Sequence, residues 1–123
     1  MLRPLILASL ITLLAACGSP STGTDTGIDV PSTPELATCP STVVISNFEY
    51  TPDNCQVAPG TTLTFVNEDT VQHTATSSAG APASFDTGPI DRKDSATVTF
   101  DTAGVYPYYC TIHPDMLASI TVK

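Results

Sequence analysis

Apolar and polar residues alternate along much of this chain after its first third. Leu63 and Phe65 are flanked by polar side chains within Thr61-Thr62-Leu63-Thr64-Phe65-Val66, and Val43 and Ile45 sit two apart in the same way. Ala96, Val98 and Phe100 alternate with Ser95, Thr97 and Thr99; Ala118, Ile120 and Val122 alternate with Ser119 and Thr121. A period of two with β-branched residues is a strand pattern, because successive side chains point to opposite faces of a sheet. Turn-forming clusters separate the runs: Thr51-Pro52-Asp53-Asn54, Ala58-Pro59-Gly60, Ala79-Gly80-Ala81-Pro82, Thr87-Gly88-Pro89 and Thr102-Ala103-Gly104. No window beyond the N-terminal segment carries a helical period. The pattern predicts one all-β sandwich domain over 39–123. A domain of this size buries a small core, so a disulfide or metal staple is expected.

Two segments precede that domain. Arg3 followed by an apolar run over 5–14 reads as an export signal, since about 20 apolar residues are needed to cross a bilayer. The run ends in Leu14-Ala15-Ala16-Cys17, which resembles a bacterial lipobox and implies cleavage after residue 16 with lipid on Cys17. An ordinary secretory signal with an incidental cysteine is the other reading; both export the chain. Residues 17–38 are rich in Ser, Thr, Gly and Pro and lack a hydrophobic period, the composition of a flexible linker with a reach of about 25 Å.

Charge narrows the partners. The sequence holds 12 acidic residues against 4 Lys and Arg, a net charge of −8. Such a chain is repelled by nucleic acid and by anionic lipid headgroups, so contact with a membrane runs through the lipid on Cys17 alone. A basic protein partner is compatible with this charge.

The cysteines are Cys17, Cys39, Cys55 and Cys110. Lipidation uses the first, and export places the others where disulfides form. One pair leaves one odd thiol. Cys39 with Cys55 is the natural pair and leaves Cys110 free; a bridge from Cys110 to either of the others would abolish any metal site there.

Cys110 is the residue that carries chemistry. Cys110-Thr111-Ile112-His113-Pro114-Asp115-Met116 places a thiolate, an imidazole and a thioether in one loop, spaced C-x2-H-x2-M. His73 is the one other histidine. Two imidazoles and a thiolate in a trigonal plane, with a long axial thioether, form the ligand set of a blue-copper electron-transfer site. Imidazole suits Cu(II) and thiolate suits Cu(I), so a centre that cycles between them wants both. His73, Cys110 and His113 would form the plane and Met116 the axial contact. Four protein ligands leave no open position for a substrate, so the expected role is not enzymatic.

With those residues in place, the chain resembles a cupredoxin of the plastocyanin/amicyanin kind. The resemblance rests on Ala58-Pro59-Gly60-Thr61 leading into Leu63-Thr64-Phe65-Val66-Asn67, on Asn67-Glu68-Asp69 ahead of His73-Thr74, on Phe85-Asp86-Thr87-Gly88, and on Ala103-Gly104-Val105-Tyr106-Pro107-Tyr108-Tyr109-Cys110 with the final loop. It covers residues 42–123, and the short gap between His113 and Met116 is amicyanin-like. It implies an all-β fold, a Greek-key sandwich or barrel of about seven or eight strands. It implies one copper ion, redox protein partners as donor and acceptor docking near His113, and a monomer. It also implies that Asn67 ties the His73 strand to the ligand loop. Electrons would pass through an apolar surface formed by Ile112, His113, Pro114 and the Gly80-Ala81-Pro82 loop. The Cys39–Cys55 pair and the absence of Trp are departures that touch no ligand.

Three other readings compete. Tyr108, two residues before Cys110, resembles the tyrosine corner of immunoglobulin domains, although that fold would want a buried Trp and an inter-sheet disulfide at Cys110. A copper-handling chaperone or store could use the same donors. A metal-free interaction sandwich would use none of them. No serine has a general-base partner outside the two histidines, which argues against a hydrolase. The expected function is a one-electron carrier, lipid-anchored on the periplasmic or extracytoplasmic face of a bacterial membrane.

Overall fold

A computed structural model describes residues 34–123, which form eight strands and no helix. The expected signal peptide, Cys17 and most of the linker lie outside the described residues. The strands are β1 Thr42–Ser46, β2 Glu49–Thr51, β3 Asn54–Val57, β4 Thr61–Asn67, β5 Thr76–Ser77, β6 Ser95–Phe100, β7 Gly104–Tyr109 and β8 Leu117–Val122. They make two four-stranded sheets, ordered β2-β1-β4-β6 and β3-β8-β7-β5.

The predicted alternation decides which residues face inward. In β1 and β4 the burial alternates residue by residue, and Val43, Ile45, Leu63 and Phe65 are buried. β1 lies parallel to β4, with Val43 opposite Phe65, so both strands aim their apolar sets at one core. The second sheet contributes Cys55, Val57, Tyr106, Tyr108, Ile120 and Val122. At the edge strand β6 only Phe100 is fully buried, while Ala96 and Val98 are partly covered. Aromatic rings join the sheets: Tyr108 meets Phe65 with centroids 5.7 Å apart and Tyr50 at 4.7 Å, and Phe85 meets Phe100 at 5.3 Å. Edge-to-face pairs of this kind add to the area they bury.

The structure has a hydroxyl-to-backbone bond like that of a tyrosine corner, made by Tyr106, which donates to the Thr102 carbonyl at 2.7 Å. The Tyr108 hydroxyl is buried with no partner among the described residues. Cys39 and Cys55 are bonded as a disulfide, and Cys110 is free and buried. The bridge holds the start of the domain against β3, where the Cys39 amide donates to Gln56 O at 2.8 Å and the Gln56 amide donates to Ala37 O at 2.9 Å.

Candidate metal centre

Three donors are delivered to one point by two separate parts of the chain. His73 lies in the segment after β4, where its backbone exchanges hydrogen bonds with Ile90, N to O at 3.3 Å and O from N at 2.7 Å. Cys110 directly follows β7, and the next residues fold into a tight loop before β8. That loop is closed by its own backbone: the Met116 amide donates to His113 O at 3.0 Å, and the Cys110 amide donates to Met116 O at 3.2 Å. The β7–β8 pairing, with Tyr109 opposite Leu117, fixes both ends of the loop. Met116 is buried at the end of it.

The resulting geometry is compact. Cys110 Sγ lies 3.8 Å from His73 Nδ1 and 3.8 Å from His113 Nδ1, and the two nitrogens are 3.2 Å apart. His73 Nε2 donates to the Asp69 carboxylate at 2.8 Å. An ionised carboxylate only accepts, so Nε2 carries a proton, and in the neutral ring Nδ1 is left with a lone pair facing the other two donors. Asp69 thus selects the His73 tautomer that a metal requires. A point equidistant from the three atoms lies about 2.1 Å from each, close to metal–imidazole bond lengths of about 2.0–2.1 Å and slightly short of a metal–thiolate bond. The residues fit a small thiophilic ion. His73 and Cys110 are fully buried, and His113 is half-buried.

Several residues around the donors were not singled out by sequence reasoning. The Thr74 amide donates to Cys110 Sγ at 3.3 Å, and its hydroxyl accepts from the Thr111 amide at 2.9 Å. Thr74 therefore ties the His73 segment to the ligand loop, the role that the resemblance gives to Asn67. Asn67 instead holds the His73 segment itself: its side chain donates to Val71 O at 2.7 Å and Ile90 O at 2.8 Å, and accepts from the Asp69 amide at 2.9 Å. Tyr50 donates its hydroxyl to Thr74 O. Burial pushes the Tyr50 phenol well above its ordinary value, with Cys110 and Tyr108 adding to the effect. Burial acts to raise the Asp69 carboxyl, but donation from the Phe48 and Asn47 amides and from His73 holds it below the usual value. The Phe48 ring meets His73 and His113 edge-on, with centroids 5.4 and 4.9 Å away.

The expected apolar surface needs one correction. Ile112 and Pro114 are exposed beside His113. The Gly80-Ala81-Pro82 loop is elsewhere, because β5 runs antiparallel to β7 from Thr76 opposite Tyr109, and each later residue moves away from Cys110. Pro82 packs at the far end of β7, so close that a Cβ on Gly104 would lie 2.4 Å from Pro82 Cγ. Gly104 and Cys110 are separated by about 20 Å of extended strand. The place by the histidines is taken by Phe48.

The sequence profile of copper-binding proteins, plastocyanin/azurin family, matches residues 37–123. The chain belongs to that family. Among its cupredoxin relatives, amicyanin from Paracoccus denitrificans is 32% identical over 91 residues, covering 72% of this chain and 70% of the amicyanin. The fold also resembles a copper-containing nitrite reductase from Thermus scotoductus, with 31% identity and a TM-score of 0.64. That match covers 72% of this chain but only 23% of the reductase. A purple cupredoxin from Nitrosopumilus maritimus matches at 30% identity and a TM-score of 0.61, over 67% of this chain and 98% of its own. Cupredoxin membership and the His-Cys-His donor set together make the cofactor one copper ion.

Proposed function

We propose that this cupredoxin is a one-electron carrier with a type 1 copper centre, in which His73, Cys110 and His113 are the planar ligands and Met116 is axial. Bound copper would supply the Cu(II)/Cu(I) couple. The observation that carries the reading is the convergence of three donors, with sides of 3.8, 3.8 and 3.2 Å, on a frame that fixes each of them. Asp69 keeps a His73 proton on Nε2, the Thr74 amide holds the Cys110 sulfur, and the backbone bonds at His113 and Met116 keep the ligand loop closed. Such a frame resists rearrangement between oxidation states. Full burial of His73 and Cys110 supports a carrier over a copper-delivering protein, whose donors must be reached by an acceptor.

Electrons would pass at His113, the half-buried ligand, between Ile112 and Pro114. Beside it, a recess of about 300 Å³ is lined by Phe48, Tyr50, Met116 and Leu117 together with Glu49, Asp53 and Asp115. None of those three carboxylates has an ion-pair partner among the described residues, which favours basic redox proteins as donor and acceptor. Lipidation at Cys17 would anchor the carrier outside the cytoplasmic membrane; no helix among the described residues is long and apolar enough to cross one.

Titrating Cu(II) into the metal-free protein tests the reading. An intense thiolate-to-copper band should saturate at one equivalent, bleach reversibly with ascorbate and vanish in Cys110→Ser. Colourless binding would favour the copper-handling alternative. Cys17→Ser should move the protein from the membrane to the soluble fraction without altering the band.

A further inference from the structure

Asn47 and Phe48 are the two residues that turn β1 into β2, and both have positive φ, 54° and 60°. Two left-handed residues in a two-residue hairpin make a turn whose second position usually holds glycine. Here that position holds Phe48, a bulky residue for which such backbone is an outlier. The residue is 51% exposed. Folding alone gives no reason for it, since glycine would relax the backbone and remove exposed apolar surface. Strained residues of this kind persist where the surroundings enforce them, and they cluster at working sites.

What enforces the turn is the carboxylate that also holds a ligand. Asp69 Oδ1 accepts from the Asn47 amide at 2.7 Å. Asp69 Oδ2 accepts from the Phe48 amide at 3.0 Å and from His73 Nε2 at 2.8 Å. The turn thus set, the Phe48 ring stands nearly perpendicular to both imidazoles, at 87° to His73 and 89° to His113. His113 comes from a short loop and is half-buried, so it has the fewest other restraints of the three donors.

We propose that Asp69 and Phe48 are one positioning device, in which Asp69 couples the Asn47–Phe48 turn to His73 and the Phe48 ring steadies His113. Neither residue is a ligand. The device rests on the copper-carrier reading only for its effect on potential; its mechanical part belongs to the metal-free protein as well. Removing the Asp69 charge leaves His73 a poorer donor, which weakens Cu(II) more than Cu(I). Partners of this kind change metal affinity by about tenfold or more, and each tenfold of preference for Cu(I) raises a one-electron potential by about 59 mV.

Asp69→Asn preserves shape but leaves one acceptor oxygen for three donors. In the metal-free protein it should speed hydrogen exchange of the Asn47 and Phe48 amides by about tenfold and broaden the His113 ring signals in NMR. In the copper form it should raise the potential by about 59 mV for each tenfold shift. Phe48→Gly keeps the turn and relaxes its backbone, so a purely structural role predicts equal or higher stability and no change at the site. The device predicts enhanced His113 ring motion and electron self-exchange slowed by about tenfold, with Phe48→Leu restoring part of both. The effects of the two substitutions should not add, because they act through one turn. Unchanged amide exchange in Asp69→Asn together with an unchanged His113 ring in Phe48→Gly would overturn the proposal, even if wild-type protein is blue and redox-active. If wild-type protein bound no copper, the carrier reading would fail and the metal-free measurements would still decide this one.

Discussion

Two buried cysteines in this domain have opposite fates, and their surroundings account for the difference. Cys55 faces the core from β3 and is bonded to Cys39. Cys110 is as deeply buried, yet it meets an amide from Thr74 and the two imidazoles. The first sulfur closes a loop of chain covalently. The second is held in place by groups that leave its lone pairs aimed at a metal position. Burial by itself says little about a cysteine; the atoms within 4 Å of the sulfur decide whether it staples or ligates.

Exchanging the sulfurs separates the two regions most sharply. Cys110→Ser should remove the copper band completely, while the metal-free domain keeps its stability to within about 1 kcal/mol. Replacing both Cys39 and Cys55 with serine should do the reverse. The bridge spans 16 residues of sequence, so its loss should cost about 3 kcal/mol in chemical denaturation and leave the absorption spectrum unaltered. A changed spectrum in that variant would mean that the two regions are coupled through the core.

Tyr50 and Tyr108, which meet edge-to-face, offer a finer contrast. Tyr50→Phe leaves the buried Thr74 carbonyl without its partner and should cost about 2 kcal/mol, with a shift of the thiolate band because Thr74 also touches Cys110. Tyr108→Phe deletes a buried hydroxyl that bonds to nothing among the described residues. Its effect should be about zero or slightly stabilising. Burial raises both phenols, and Asp53 adds to the effect at Tyr108. Their contribution to stability is therefore complete below the unfolded value of about 10 and declines as pH rises through the folded values. Tyr108→Phe should remove part of that alkaline slope, measurable in urea titrations repeated from pH 8 upward.

Four strands were legible because apolar residues recur at every second position within runs of five to seven residues, and β7 because it leads into Cys110. β2, β3 and β5 were not, because three, four and two residues are too few to show a period. β3 also begins inside the turn cluster at Asn54. The ligand residues were legible for another reason: histidine, cysteine and methionine are rare here, and the loop spacing brings three of them together. Thr74, Tyr50 and Phe48 carry no such mark. Their roles arise from contacts between segments that lie 21 or more residues apart. Asp69 had a weak signal, an acid four residues before a histidine, and the Gly80–Pro82 loop misled because its composition looks apolar and turn-like while only strand direction tells where it ends.

The Cys39–Cys55 bridge has a mechanical meaning as well. A pull on the chain ahead of Cys39 reaches the sulfur bridge before it reaches residues 40–54. The bridge shunts that load straight into β3, and the β3–β8 pairing passes it on to the sheet, with Cys55 opposite Ile120. The bypassed stretch contains β1, β2 and the Asn47–Phe48 turn. Tugging at the N-terminal side therefore leaves slack in the part of the molecule that braces the histidines.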